Sequence, residues 1–263
     1  MRFRFLPVIL LVCGFSTAYG QDLRTGVPTA GGGYLAAGEC LAWLDAEGEI
    51  LRIRPLEHPL VALVESDVGL YALDEEGREL LALNTDGVVS ARMTLPVKGN
   101  LRDLAANGNI LWAVTDAGEI LHGSDASGWT VFDFNAKYAG YYPQMAFLAV
   151  AAGGGSVMVA GMRPDGTPAA YTSSRGTVWN ERTLDYTEDG IPFMFSAEVT
   201  GLDYDAVQDR FYLLGTGGAQ LALPGCSHCN SLKRYPAGTL YARIPAGDSA
   251  LLLGSEGFRR VEP

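Results

Sequence analysis

The stretches Leu70-Tyr-Ala-Leu-Asp-Glu-Glu-Gly77 and Leu111-Trp-Ala-Val-Thr-Asp-Ala-Gly118 decide the fold. Each is a short run of aliphatic and aromatic residues, then a polar turn closed by glycine. Neither shows the 3.6-residue period of a helix, and short apolar runs bounded by Asp- and Gly-containing turns read as buried strands. The closing glycine supplies a left-handed backbone position that other residues adopt only at a cost. Working outward, the unit recurs as Leu41-Ala-Trp-Leu-Asp-Ala-Glu-Gly48 and, more loosely, as Val157 to Gly166, Phe211 to Gly218 and Leu251 to Gly257. The marking glycines 48, 77, 118, 166, 218 and 257 are 29, 41, 48, 52 and 39 residues apart, a mean of about 42.

A hairpin of this kind cannot bury both of its faces alone. Repeats of about 40–50 residues with four strands each have the size of propeller blades, and stacking them around an axis buries both faces. The expectation is an all-β chain forming a single β-propeller, with six blades of mostly four antiparallel strands. The short first step predicts a first blade that lacks a strand. Residues 22–29 are expected to pair near the C-terminal Gly257-Phe-Arg-Arg-Val-Glu-Pro263 and close the ring.

Residues 1–20 read as a signal peptide rather than as fold. Arg2 and Arg4 precede the apolar run Phe5 to Phe15, and Ala18 and Gly20 occupy the small-residue positions of a cleavage site. Cleavage near Gly20 predicts a periplasmic or secreted protein, with residues 21–263 forming one domain. The apolar run is shorter than the roughly 20 residues a membrane helix needs, and no later run is long enough, so no membrane span is expected. Loss of Arg2 and Arg4 takes the formal charge from −11 to −13. With no basic cluster, nucleic acid is an unfavourable partner.

The chain holds three histidines, His58, His122 and His228, and carries no Gly-x-Ser-x-Gly, His-Glu-x-x-His or phosphate-loop motif. No cofactor and no metal site is expected. Cys226-Ser-His-Cys229 is the one compact reactive cluster. In an oxidising compartment it reads as a local Cys226–Cys229 disulfide. A redox pair, or a zinc site with Cys40 as a further ligand, are the competing readings. Cys40, beside Leu41 and Trp43, reads as a buried apolar residue.

Thr172-Ser-Ser-Arg-Gly-Thr-Val-Trp179 resembles the Asp-box turn of BNR-type propellers, with Ser174 where that motif has Asp. Ser124-Asp-Ala-Ser-Gly-Trp129 is a weaker echo. With the blade-sized repeat, the chain is similar at fold level to Asp-box and WD40-like propellers. In that family the box is a structural turn, so the resemblance implies a fold and no activity. A sialidase reading fails because Arg52-Ile-Arg-Pro55 only approximates the arginine motif of those enzymes.

Two insertions carry more aromatic residues than turns require. Phe132 to Pro143 holds Tyr138, Tyr141 and Tyr142; Asp185 to Phe195 holds Glu188, Asp189 and Phe193. Both fall between the outer strand of one blade and the inner strand of the next, on the face that also carries the turns between second and third strands. These six residues are the candidate ligand-binding set, for a protein, peptide or glycan of the cell envelope. The same aromatics could instead fill gaps between blades. The leading functional expectation is a non-catalytic binding module. The alternatives are a glycan hydrolase or lyase with carboxylates at the channel, and a redox or zinc protein built on Cys226 and Cys229.

Overall fold

The computed structural model describes residues 23–124, 128–225, 229–236, 238–246 and 249–261. The expected signal peptide, Cys226 and His228 therefore lie outside the described residues, and with them the bridge proposed for Cys226 and Cys229.

The described chain is strand almost throughout. Blade one holds β1 (Leu23–Pro28), β2 (Tyr34–Gly38), β3 (Cys40–Leu44) and β4 (Ile50–Pro55). Blade two holds β5 (Leu60–Ser66), β6 (Gly69–Asp74), β7 (Glu79–Leu83) and β8 (Val89–Thr94). Blade three holds β9 (Leu101–Asn107), β10 (Ile110–Thr115), β11 (Glu119–Ser124) and β12 (Gly128–Asp133), followed by a one-turn helix, α1 (Phe134–Lys137). Blade four holds β13 (Ala146–Gly153), β14 (Ser156–Met162), β15 (Pro168–Ser173) and β16 (Asn180–Arg182). A separate hairpin follows, β17 (Asp185–Glu188) and β18 (Ile191–Met194). Blade five holds β19 (Val199–Asp205), β20 (Arg210–Gly215), β21 (Ala219–Pro224) and β22 (Ser231–Arg234); blade six holds β23 (Leu240–Ala246), β24 (Ser249–Gly254) and β25 (Gly257–Val261). Within each blade the strands are antiparallel and in sequence order. The innermost strands β1, β5, β9, β13, β19 and β23 lie side by side in that order, and β23 returns to β1. The six-bladed propeller is thus as expected, but two details are corrected.

Blade one has all four strands, and among the described residues it is blade six that has three. The short 29-residue step arose because Gly48 closes the turn between β3 and β4, the third and fourth strands. The other five marked glycines close turns between second and third strands. The equivalent of those in blade one is Gly38-Glu39, between β2 and β3. The 22–29 segment is also re-placed: β1 is the inner strand of blade one, paired with β2, and packs beside β23 without joining its sheet. Among the described residues the ring closes by packing, not by strand exchange.

Packing explains why the strands read as continuous apolar runs. A blade is covered on both faces, so alternate residues of one strand enter different interfaces. In β10, Leu111 and Ala113 pack towards blade two, and Trp112 and Val114 towards blade four. Each of the six blade interfaces has its own cluster of buried residues. The turns serve the same packing. Gly77 has φ +61°, and a Cβ there would lie 2.2 Å from the Leu101 carbonyl oxygen, which is where blade two's turn meets blade three.

Each inner strand also carries a bulge near its start, leaving Arg24, Val61, Arg102, Leu148, Thr200 and Tyr241 out of the ladder. A bulge frees a backbone donor. Two residues beyond the bulge, on the free edge of the inner strand, a donor is met from the preceding blade in two places: Leu63 N–H donates to Thr25 Oγ1 at 2.9 Å, and Val150 N–H to Asp103 Oδ2 at 2.8 Å.

Candidate functional site

Three regions could carry function: the central channel, the two aromatic insertions, and the interface between blades five and six.

The channel is a cavity of about 1240 Å³ walled by the six inner strands. Two carboxylates in its wall, Asp103 and Asp203, were not among the expected site residues. The available signal was an aspartate inside an otherwise apolar strand, in Leu101-Arg-Asp-Leu and Gly201-Leu-Asp. Burial pushes Asp103 up to about 7, against the lowering effect of its bonds from the Val150 and Leu104 amides. Burial also pushes Asp203 up to about 7, opposed by the Arg243 guanidinium and reinforced by Asp205. Both carboxylates hold structure. Asp103 Oδ1 accepts from Leu104 N–H and Oδ2 from Val150 N–H, each at 2.8 Å. Asp203 accepts from Arg243 Nη1 at 3.2 Å, while Arg243 Nη2 donates to buried Asp205 at 2.8 Å. Arg243 also sits 4.0 Å above the Tyr212 ring, so one cation ties blade six to blade five.

The first insertion is built on α1. The Asp133 side chain caps it, accepting from Ala136 N–H at 2.9 Å. The Asn135 amide fixes the return, donating to the Ala117 and Met145 carbonyls and accepting from Met145 N–H. Phe134 is fully buried between blades three and four. Tyr138 and Tyr142 pack against it at centroid distances of 4.8 and 5.8 Å, and the Tyr138 hydroxyl accepts from Trp179 N–H at 2.8 Å. These two tyrosines therefore fill the interface with one face. Tyr141, 76% exposed, stands clear of it.

The second insertion is the β17–β18 hairpin. Asp189 (φ +49°) and Gly190 (φ +80°) turn it, the Asp-Gly pair suited to a two-residue loop with both backbones left-handed. Its base is held: Phe195 N–H donates to Leu184 O, both residues are buried, and the Asn230 amide donates to the Thr183 and Asp185 carbonyls. The strands above the base project. Tyr186 and Phe193 stack at 5.7 Å, and Ile191, Phe193 and Met194 are exposed, as are Glu188 and Asp189 at the tip. The six expected ligand residues thus form two groups. Among the described residues no ring contact joins the tyrosine group to the hairpin.

The Asp-box-like segment is the turn between β15 and β16. Gly176 (φ +73°) lies so close to Trp112 of blade three that a Cβ would be 2.5 Å from the ring. Ser173, rather than Ser174 at the Asp position, caps the turn, accepting from Gly176 N–H at 2.8 Å. Trp179 is buried behind it. Cys40 is buried between blades six and one, and Cys229 is exposed. Among the described residues no group of His, Cys, Asp and Glu could hold a metal ion, and no helix is long and apolar enough to cross a membrane.

No protein-family model matches the chain, and no curated protein does. Solved structures do. Virginiamycin B lyase from Staphylococcus aureus is similar at 11% identity with a TM-score of 0.60, over 93% of this chain and 85% of that one. The Neurospora crassa Pan2 WD40 domain is similar at 11% identity with a TM-score of 0.56, over 90% and 74%. YCF48 from Cyanidioschyzon merolae is similar at 12% identity with a TM-score of 0.56, over 91% and 84%. At these identities the likeness is one of fold: the chain is a β-propeller, similar to WD40-like and other propellers, and nothing in it singles out the Asp-box group.

Proposed function

We propose that this propeller is an exported interaction module, periplasmic or secreted, that binds a protein, peptide or glycan of the cell envelope through the face carrying its two aromatic insertions. The observation that carries the reading is the projecting hairpin. It exposes Ile191, Phe193 and Met194 together, beside Glu188 and Asp189, on a base fixed to the ring. Clustered exposed apolar side chains on a rigid support mark interaction sites, and preorganisation lowers the entropic cost of binding. Tyr141 extends the same face, while Tyr138 and Tyr142 support it from beneath. Two of the carboxylates that line the channel are already engaged within the fold, while Glu65, Asp67 and Glu198 line it as well. Asp103 has both oxygens engaged by backbone amides, and Asp203 is bound to Arg243.

The test is capture from the native envelope with purified mature protein, comparing wild type with Phe193→Ala/Met194→Ser and with Tyr141→Ala. Loss of the same specific partners in both variants supports the shared face. An unchanged partner set removes it. Export is tested separately, by N-terminal sequencing of the protein from the envelope fraction, with Gln21 as the expected first residue.

A further inference from the structure

Blade five turns two different faces to its neighbours. Towards blade four its strands present Phe211, Leu213, Leu221 and Leu223. Towards blade six they present Arg210 and Tyr212 from β20, Gln220 from β21 and Lys233 from β22, around a cavity of about 60 Å³ closed by Tyr235 and Arg243. At roughly 10–15 Å³ per water this is space for a handful of waters, the scale of one tetrahedral oxyanion.

The charge of this cavity runs against that of the protein. The chain has a net charge of −11, yet no described residue lining this cavity is acidic. Arg243 is satisfied by Asp203 and Asp205. Arg210 and Lys233 form no ion pair among the described residues, so two cationic side chains at the cavity are left without a counter-charge. Gln220 adds a second requirement. It is 4% exposed, and its Oε1 is buried without a hydrogen-bond partner among the described residues. A buried acceptor left unmet costs about 1–3 kcal/mol, so a group that fits here should bring a donor as well as negative charge. A phosphate near neutral pH carries both: anionic oxygens for Arg210 and Lys233, and a P–O–H for Gln220. Sulfate and carboxylates are fully deprotonated and have no donor to give.

We propose that the cavity between blades five and six binds a phosphate group, with Arg210 and Lys233 holding its charge and Gln220 Oε1 accepting its proton-bearing oxygen. The site is separate from the face that carries the aromatic insertions. The Lys233 side of the cavity is exposed, which gives a small ligand a way in.

Calorimetric titration of the mature protein with inorganic phosphate at neutral pH tests this, with chloride at matched ionic strength, sulfate and acetate as further arms. Saturable binding of phosphate, weaker binding of sulfate and acetate, and no heat from chloride are expected. Lys233→Ala is a surface change that should leave the far-UV spectrum unaltered and weaken phosphate binding roughly tenfold or more, through loss of one charge-assisted hydrogen bond. Lys98→Ala, on another part of the ring, should change nothing. Gln220→Leu should bring phosphate and sulfate to equal affinity. Phosphate heats no larger than those of chloride, or equal affinity in wild type and Lys233→Ala, would overturn the site. Equal affinity for sulfate and phosphate in wild type would overturn the role given to Gln220.

Discussion

The interface between blades four and five and the one between blades five and six share a blade, yet they are built from opposite materials. The first buries a cluster of fourteen residues, among them Met158, Phe195, Leu213 and Leu221. The second buries three, Leu214, Leu240 and Leu252, and completes itself with Arg243, its two aspartates and the Tyr212 ring. The change follows from a period of two. In Ala219-Gln-Leu-Ala-Leu-Pro224, residues 219, 221 and 223 face blade four, while 220 and 222 face the polar cavity. Five apolar interfaces hold the ring well enough for the sixth to keep polar groups and a cavity.

This contrast can be broken most severely at Arg243. Arg243→Ala should cost about 3–5 kcal/mol, because it strands the buried Asp205 carboxylate; a double change with Asp205→Asn should recover part of the loss. Denaturant unfolding of the two variants measures both. On the apolar side, Leu213→Ala should cost about 2–5 kcal/mol by leaving a cavity, with no partner change able to restore it. Recovery in the first case and none in the second is what distinguishes an interface of paired charges from one of packed methyls.

Acidity sharpens the comparison further. Asp103 and Asp203 have folded values of about 7 against an ordinary 3.8. Between those limits the folded chain holds protons that the unfolded chain has released, so their contribution to stability falls as pH rises through that window. Melting temperature should therefore be higher at about pH 5.5 than at about pH 8, and Asp103→Asn should flatten the dependence. A profile that rises with pH over this range, or one unchanged in the variant, would contradict the assignment. The smallest effect belongs to the projecting surface: Tyr141→Ala should change stability by less than about 0.5 kcal/mol while altering partner capture.

Much of the ring was legible in the sequence because its physics is local. Leu70 to Gly77 and Leu111 to Gly118 each state a strand and the turn that ends it. Gly48 misled because Asp45 caps its own turn, accepting from the Glu47 and Glu49 amides, much as Asp74 caps the turn at Gly77. Local chemistry cannot say which turn of a blade it closes. The insertions were also visible, since Tyr141-Tyr142 and Phe193 are too many rings for a simple turn. What could not be read was which of them point outward: Tyr142 and Tyr141 are neighbours in sequence, and it is Phe134 and Tyr171, distant in the chain from one another, that take Tyr142 inward. The polar interface was the least legible. Arg243 meets Asp203 and Asp205 across some forty residues, and nothing local to any of them records that meeting.

The clamp at the base of the β17–β18 hairpin has an evolutionary consequence. Leu184 and Phe195 bring the two ends of the insertion to hydrogen-bonding distance and bury them, and Asp185 and Tyr186 tie its first residues to blade five and the neighbouring core. Beyond that base the tip, Glu188 to Ile191, is exposed and free to drift. Lineages could lengthen, recolour or replace this tip without renegotiating a single blade, which makes it a socket for new specificities on an old wheel.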